Sequence, residues 1–203
     1  MARNSHIKSP RTASALTLAQ AKNHLRIPTT ITEEDDYIQG LIDTATDVAD
    51  IYCNISIIQQ TYVQYADKWE DTIELFHSPI RGTGQADMVK VEYIATGGGS
   101  TYSTWAITNY KFDKYSSPLR LVHENGKNYP NTEDIINAIK IEYKVGGPAA
   151  DVPAAIKQAL LIMVGQWYEN RQEAIVGRSV GTIPMTATYL LDRYKVQTFG
   201  IPN

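Results

Sequence analysis

Cysteine is almost missing: Cys53 is the single thiol in 203 residues. A lone cysteine makes neither an intrachain disulfide nor a metal site. Its place in an apolar helical pattern predicts a small buried side chain, and a reducing compartment fits. A surplus of positive charge is missing too. The 19 Lys and Arg stand against 22 Asp and Glu, a formal net charge of -3, so a basic surface that grips DNA through its phosphates is not expected. No uninterrupted apolar run approaches the roughly 18 residues of a membrane span. The N-terminal "MARNSHIKSPRTASA" lacks the apolar stretch of a signal peptide. A soluble chain made in the cytoplasm, with no membrane partner, is expected. Phenylalanine is scarce, 3 residues against 13 tyrosines. Tyrosine joins an apolar ring to a polar tip and suits contact surfaces.

Catalytic and cofactor patterns are equally thin. His6, His24, His77 and His123 show no metal-ligand spacing and no H-E-x-x-H. Gly177-Arg178-Ser179-Val180-Gly181 spells G-x-S-x-G, the nucleophile elbow of serine hydrolases. That motif needs a strand before it and a histidine after it. Here a helical pattern precedes it and the last histidine is His123, so a flexible loop is expected. Gly97 to Gly99 is followed by no Lys-Ser/Thr and reads as a hairpin tip rather than a phosphate loop. The acidic run Glu33 to Asp36 lacks the spaced oxygens of a calcium loop and fits a helix start, where carboxylates meet the positive end of the helix dipole. No catalytic, cofactor-binding or metal-binding residue is assigned, and no enzyme is expected.

What is present is a clear alternation of textures. Residues 1–15 form a polar, basic arm with little to bury, expected to be flexible or ordered by a partner. "LTLAQAKNHLRIP" predicts a helix capped by Thr17 with Gln20 closing a capping box, and stopped by Pro28. "TITEEDDYIQGLIDTATDVADIYCN" predicts a long amphipathic helix capped by Thr32, its stripe made by Ile38, Leu41, Ile42, Ala45, Val48, Ala49 and Tyr52. From residue 57 short segments rich in Val, Ile, Thr, Tyr and Trp read as strands: "IIQQTYVQYADKW", "TIELF", "MVKVEYIAT", "TYSTWAITNYKF", "LRLV" and "AIKIEYKV". Alternation is cleanest in Val89, Val91, Tyr93 and in Ile139, Ile141, Tyr143, Val145. Turn signals at Glu70-Asp71, Gly82 to Gly84, Gly97 to Gly99 and Asn125-Gly126 separate the segments. Gly146-Gly147-Pro148 closes the region. A helix then runs through "DVPAAIKQALLIMVGQWYENR", with Asp151 as its cap and Ile156, Leu160, Met163, Val164 and Trp167 as its apolar face. After a loop from about 174 to 183, Pro184 opens a last short helix in which Tyr189, Leu190 and Tyr194 are candidates to pack.

The predicted fold class is α+β. A helical unit made by both ends of the chain (16–56 and 148–194) carries an inserted antiparallel β domain (57–147), a small sandwich or barrel, with a C-terminal tail at 195–203. Leu41, Ile42, Ala45, Val48, Ile156, Leu160, Met163 and Trp167 form its helix-packing core, because four amphipathic helices must hide their stripes against one another.

Two stretches carry a family resemblance. "LTLAQAKNHLRI" with the acidic "EEDDYIQGLIDTATDVADIY" and "IIQQTYVQY", and later "IKIEYKVGGPAADVPAAIKQALLIMVGQWYENRQ" with the closing "LLDRYKV", resemble the signatures of head–tail connector (adaptor) proteins of tailed bacteriophages. The resemblance runs over about 16–194 and is weakest in the middle β region. It implies a structural virion protein of the neck: a ring, commonly twelve-fold, beneath the portal, which extends the DNA channel and docks the tail or a stopper. The implied partners are the portal ring, neighbouring copies, a stopper or tail protein, and DNA that passes without specific binding. A terminal segment would hold the portal. Arg171, Arg193, Tyr194, Lys195, Phe199 and Ile201 are the candidate portal or subunit contacts. A stopper or tail-completion protein is the alternative. A glycan- or receptor-binding module is a third reading, and it requires exposed Trp69, Tyr102 and Trp105.

Overall fold

The computed structural model of the chain describes residues 4–79, 85–171 and 183–196. The first helix, α1 (Leu18–His24), has the expected start. The Thr17 hydroxyl accepts from the Gln20 amide N–H, and the Gln20 side chain accepts from the Thr17 N–H, completing the capping box. The long helix α2 (Asp35–Cys53) begins later than the sequence suggested. Thr32 is not its cap; Glu34 is, and it makes no side-chain cap bond. The chain before α2 is held instead by Lys22, which is only 2% exposed. Its ammonium donates to the carbonyls of Thr29 and Ile31 and to the Asp35 carboxylate at 2.7 Å. A buried ammonium is tolerable only when its donors are satisfied, and three acceptors fix this loop where a cap was expected. Asn54, with φ of 54°, ends α2 in a left-handed turn.

Helix α3 (Ala154–Glu169) also starts past its expected cap: Asp151 ends a 3-10 turn, and Pro153 takes the N-cap position. Helix α4 (Met185–Asp192) follows Pro184. The four helices enclose one core. Ile38, Ile42, Ala45 and Ala49 of α2 meet Ile156, Leu160, Met163 and Val164 of α3, with Ala187 and Leu191 of α4 closing one side. Leu41, Val48, Tyr52 and Trp167 pack against this core from its margin and are only partly buried. Cys53 is fully buried, and burial pushes its thiol up to about 12.

The strands are β1 (Asn4–Ser9), β2 (Ile55–Ser56), β3 (Gln60–Ala66), β4 (Ile73–Leu75), β5 (Ser78–Pro79), β6 (Gln85–Ile94), β7 (Tyr102–Trp105), β8 (Tyr110–Asp113), β9 (Leu119–His123) and β10 (Ile139–Gly146). They form a five-stranded antiparallel sheet in the order β1-β3-β10-β6-β7, a three-stranded antiparallel sheet in the order β4-β9-β8, and the short parallel pair β2-β5. Ile139, Ile141, Tyr143 and Val145 of β10 point into a second core with Ile73, Leu75, Leu119 and Leu121 from the smaller sheet. The alternation read in β10 therefore holds. In β6 it breaks. Glu142 pairs with Lys90 but Tyr143 pairs with Met88, so Val89 is an extra residue in the ladder. The bulge reverses the pleat: Met88 packs on the core and Val89 stands 44% exposed. "TYSTWAITNYKF" splits into β7 and β8 around a 3-10 turn at Ile107–Asn109. The Gly97–Gly99 segment does lie in a hairpin loop, between paired Ile94 and Tyr102; Gly82 to Gly84 lie outside the described residues.

The N-terminal arm departs most from expectation. Asn4–Ser9 is an edge strand on β3, and the polar composition misled because a ladder is built from backbone groups rather than buried side chains. Lys8 pairs with Glu142 at 2.7 Å, His6 stacks on Tyr65 at 5.7 Å, and the following strap is fastened to α2 where Arg11 meets Asp47 at 2.6 Å. Ala15 and Leu16 then enter the helical core. On the outer face of the larger sheet Lys140 bridges Glu142 and Glu92, each at 3.1 Å, and Lys90 reaches Glu92 at 2.8 Å. Burial pushes the Glu142 carboxyl up, but Lys8 and Lys140 more than offset it and hold it below the usual carboxylate range.

Candidate functional site

The end of α3 clasps the start of α2. Tyr168 donates from its hydroxyl to Glu34, and Arg171 pairs with the other oxygen of the same carboxylate at 2.5 Å. The Arg171 guanidinium lies 4.6 Å from the centre of the Tyr37 ring and 4.9 Å from that of Tyr168. Hydrogen bonds from Tyr168 and then Arg171 hold the Glu34 carboxyl below its usual range. The group combines cation–π contact with a charge-assisted pair. Its contacts tie the end of α3 to the start of α2. Neither Glu34 nor Tyr37 stands out in the sequence, because the acidic run is already accounted for as a helix start.

Arg193, Tyr194 and Lys195 sit at the other end of α2. Arg193 lies over the Tyr194 ring at 5.5 Å, and Lys195 over the Tyr52 ring at 4.4 Å. Tyr52 donates to Asp192 at 2.5 Å, and the Val196 N–H bonds the Cys53 carbonyl at 2.8 Å. The chain is thus docked through Val196 rather than free from Lys195. Nineteen residues of α2, about 28 Å of helix, separate this group from Arg171. The sequence candidates therefore fall into two surfaces. Phe199 and Ile201 lie outside the described residues, as does the G-x-S-x-G segment. On α4, Met185 and Tyr189 are exposed one turn apart with Arg193 beyond them. Tyr189 does not pack inward as expected; Ala187 and Leu191 hold the buried side of this short helix.

An open cleft of about 460 Å³ runs beneath the strap and is lined by Ile7, Pro10 to Ser14, Asp43, Asp47 and Gln60. Its charged groups are already engaged: Arg11 bonds Asp47 and the Asp43 carbonyl, and Ser14 contacts the Asp43 carboxylate at 3.4 Å. Among the described residues no group of three or more His, Cys, Asp or Glu could hold a metal ion. No helix among them is long and apolar enough to cross a membrane.

Both tryptophans of the β region pack inward. Trp105 is 5% exposed and packs on Trp69 at 5.0 Å, on Tyr110 at 5.2 Å and on Tyr129 at 5.4 Å. Trp69 donates its indole N–H to the Pro130 carbonyl, and Tyr102 its hydroxyl to that of Asn137. Trp105, Trp69, Tyr110 and Tyr129 thus pack in the β core, while Tyr102 lies outside it, its ring beneath the Lys140 ammonium at 5.6 Å.

Residues 15–80 match the profile of a family described as phage gp6-like head-tail connector protein. No curated protein matches the chain. Among solved structures, the whole chain superimposes on the whole of a chain from the neck of an empty gene transfer agent particle computed with C6 symmetry, with a TM-score of 0.74 at 18% identity. A chain of the native particle's neck, computed with C12 symmetry, is matched over its full length with a TM-score of 0.69 at 17% identity. A chain of the native gene transfer agent virion gives 0.67 at 16% identity, with 96% of each chain covered. The resemblance noted in the sequence is borne out at residues 15–80 by the connector family match, and the whole chain shares its fold with these neck chains.

Proposed function

We propose that this chain is an adaptor subunit that forms a ring under the portal at the head–tail interface, extends the DNA channel and docks the tail or a stopper. The observation that carries the reading is the connector match at residues 15–80 joined to full-length likeness with neck chains. The helical core, drawn from both ends of the chain, serves as the ring body, and the β region between them as a projecting module. A heterologous contact that closes into a ring needs different patches on two sides of one subunit. The α4 stripe of Met185, Tyr189 and Arg193 and the Glu34–Tyr168–Arg171 clasp supply aromatic and Arg anchors of the kind such contacts use. The role is non-enzymatic. The net charge of -3 suits a channel through which DNA slides without being held. The packing of Trp105 and Trp69 in the β core disfavours the glycan-binding alternative, and a stopper remains the second reading within the same neck.

Native mass spectrometry of the chain mixed with the portal ring encoded by the same genome tests this. One large species with one copy per portal subunit is expected. Removal of 197–203, which spares the docked Val196, is expected to leave the fold intact and weaken that association. A portal ring that never takes up the chain would rule out the adaptor role.

A further inference from the structure

The β region carries two exposed apolar patches of opposite electrostatic rim. The first is the loop before β10. Ile136 is 80% exposed and Ile135 39%, yet this loop is pinned along its length. The Glu133 N–H bonds the Ile94 carbonyl and the Glu133 carboxylate accepts from the Gly97 N–H. The Asn137 N–H bonds Asp67, and its carbonyl accepts from Tyr102. Two bare isoleucines on a loop already fixed cost little further entropy on binding. Asp67, Glu133 and Asp134 surround them, with Lys68 the balancing cation, paired to Asp134 at 2.8 Å.

The second patch follows β8, an edge of the smaller sheet. Ile107 is 70% exposed before this strand and Tyr115 90% after it. Lys111, Lys114, Arg120 and Lys127 accompany them against Asp113 and Glu124. Lys111 pairs with Glu124, Arg120 with Asp113, and Lys114 lies over the Tyr115 ring. Carboxylates dominate the first rim and cations the second.

We propose that the Ile135–Ile136 loop of one copy docks on the β8 edge of the next, between Ile107 and Tyr115, so that the β regions make a head-to-tail contact of their own. A second copy is the occupant because one chain supplies both complementary rims, and complementary charge fixes the register of such a contact. The two patches differ, so the contact is heterologous and propagates around a ring. The inference rests on the ring reading of the previous subsection.

Two single variants, Ile136→Cys and Tyr115→Cys, test it. Both positions are open to solvent and the native thiol, Cys53, is fully buried, so the fold and the background should be unaffected; circular dichroism checks the first. The variants, distinguished by a mass tag, are mixed and treated with a short bis-maleimide, in free solution and on the portal ring. The expected covalent dimers contain one of each. Asp134→Lys or Lys114→Asp should cut their yield on the order of tenfold, and the two reversals together should restore it. Dimers of one variant with itself, cross-links to the portal, or no cross-link on a loaded ring would overturn the contact while leaving the ring reading intact. Mixed dimers in solution from a chain that never loads on the portal would support the contact and sink the ring under the portal.

Discussion

Gly146→Ala is expected to cost the fold about 3 kcal/mol or more, a large part of the stability of an ordinary domain. Gly146 ends β10 where that strand crosses the segment joining β2 to β3. Its φ is 103°, and a Cβ built there would stand 2.4 Å from the Ile58 carbonyl oxygen and 2.7 Å from the Gln59 nitrogen. Both are backbone atoms, so no rotamer change relieves the collision. They belong to the seam where the Gln59 N–H bonds the Gly147 carbonyl and the Gly147 N–H bonds Ile57. A positive φ alone costs an alanine about 1 kcal/mol; the backbone overlap adds the rest. Gly126 gives the control. Its φ is 74° and a Cβ would meet nothing within 4 Å, so Gly126→Ala should lose only about 1 kcal/mol. Urea unfolding midpoints of the two variants measure the difference. Equal losses would mean that the seam yields and that close approach at Gly146 is not what joins the two cores.

The helices and the β10 pattern were legible in sequence because each has one buried face and a single period. Ile42, Ala45, Leu160 and Met163 were found by the 3.6-residue repeat and lie at the centre of the helical core. The capping box at Thr17 needed only local chemistry. What escaped was non-local. Lys22 reads as an exposed helical lysine until Asp35, 13 residues on, folds over it. The strand at Asn4–Ser9 has no apolar signature, because its partner is the open backbone edge of β3. The bulge at Val89 is set by pairing with β10. The candidate contacts fared in the same way. Arg171 and Arg193 are a residue type suited to contacts, and only the length of α2 between them puts them on different surfaces.

Asp50→Asn is expected to stabilise the chain above pH 7 and to be nearly neutral near pH 4. Asp50 is 5% exposed on the last turns of α2. It accepts from the Ile57 N–H at 2.8 Å and from the Gln60 side chain at 3.3 Å, and Gln60 in turn contacts Ser56 and Tyr62. This places a carboxyl in the seam between helical core and sheet. Burial pushes it up from 3.8 to about 7; the bond from Ile57 and the charge of Arg11 pull the other way but do not prevail, and Asp47 adds to the rise. In the unfolded chain the group ionises near pH 4, whereas in the fold it stays protonated until about 7. Stability tied to Asp50 is therefore fully present below pH 4 and is lost as pH rises toward 7, after which the loss is constant. Three pH units correspond to about 4 kcal/mol as an upper bound. Asparagine keeps the shape and the acceptor for Ile57 and never ionises. His77, stacked on Tyr62 at 4.1 Å and pushed by burial down to about 4, has the opposite slope: its contribution is present above pH 6.5 and is lost as pH falls through 4. In the native chain the two slopes nearly cancel between pH 4 and 6.5. The variant-minus-native difference in unfolding free energy isolates Asp50. That difference should grow from near zero at pH 4 to a plateau of several kcal/mol above pH 7. A difference independent of pH would mean that Asp50 ionises normally, and that water, rather than a proton, satisfies it in the seam.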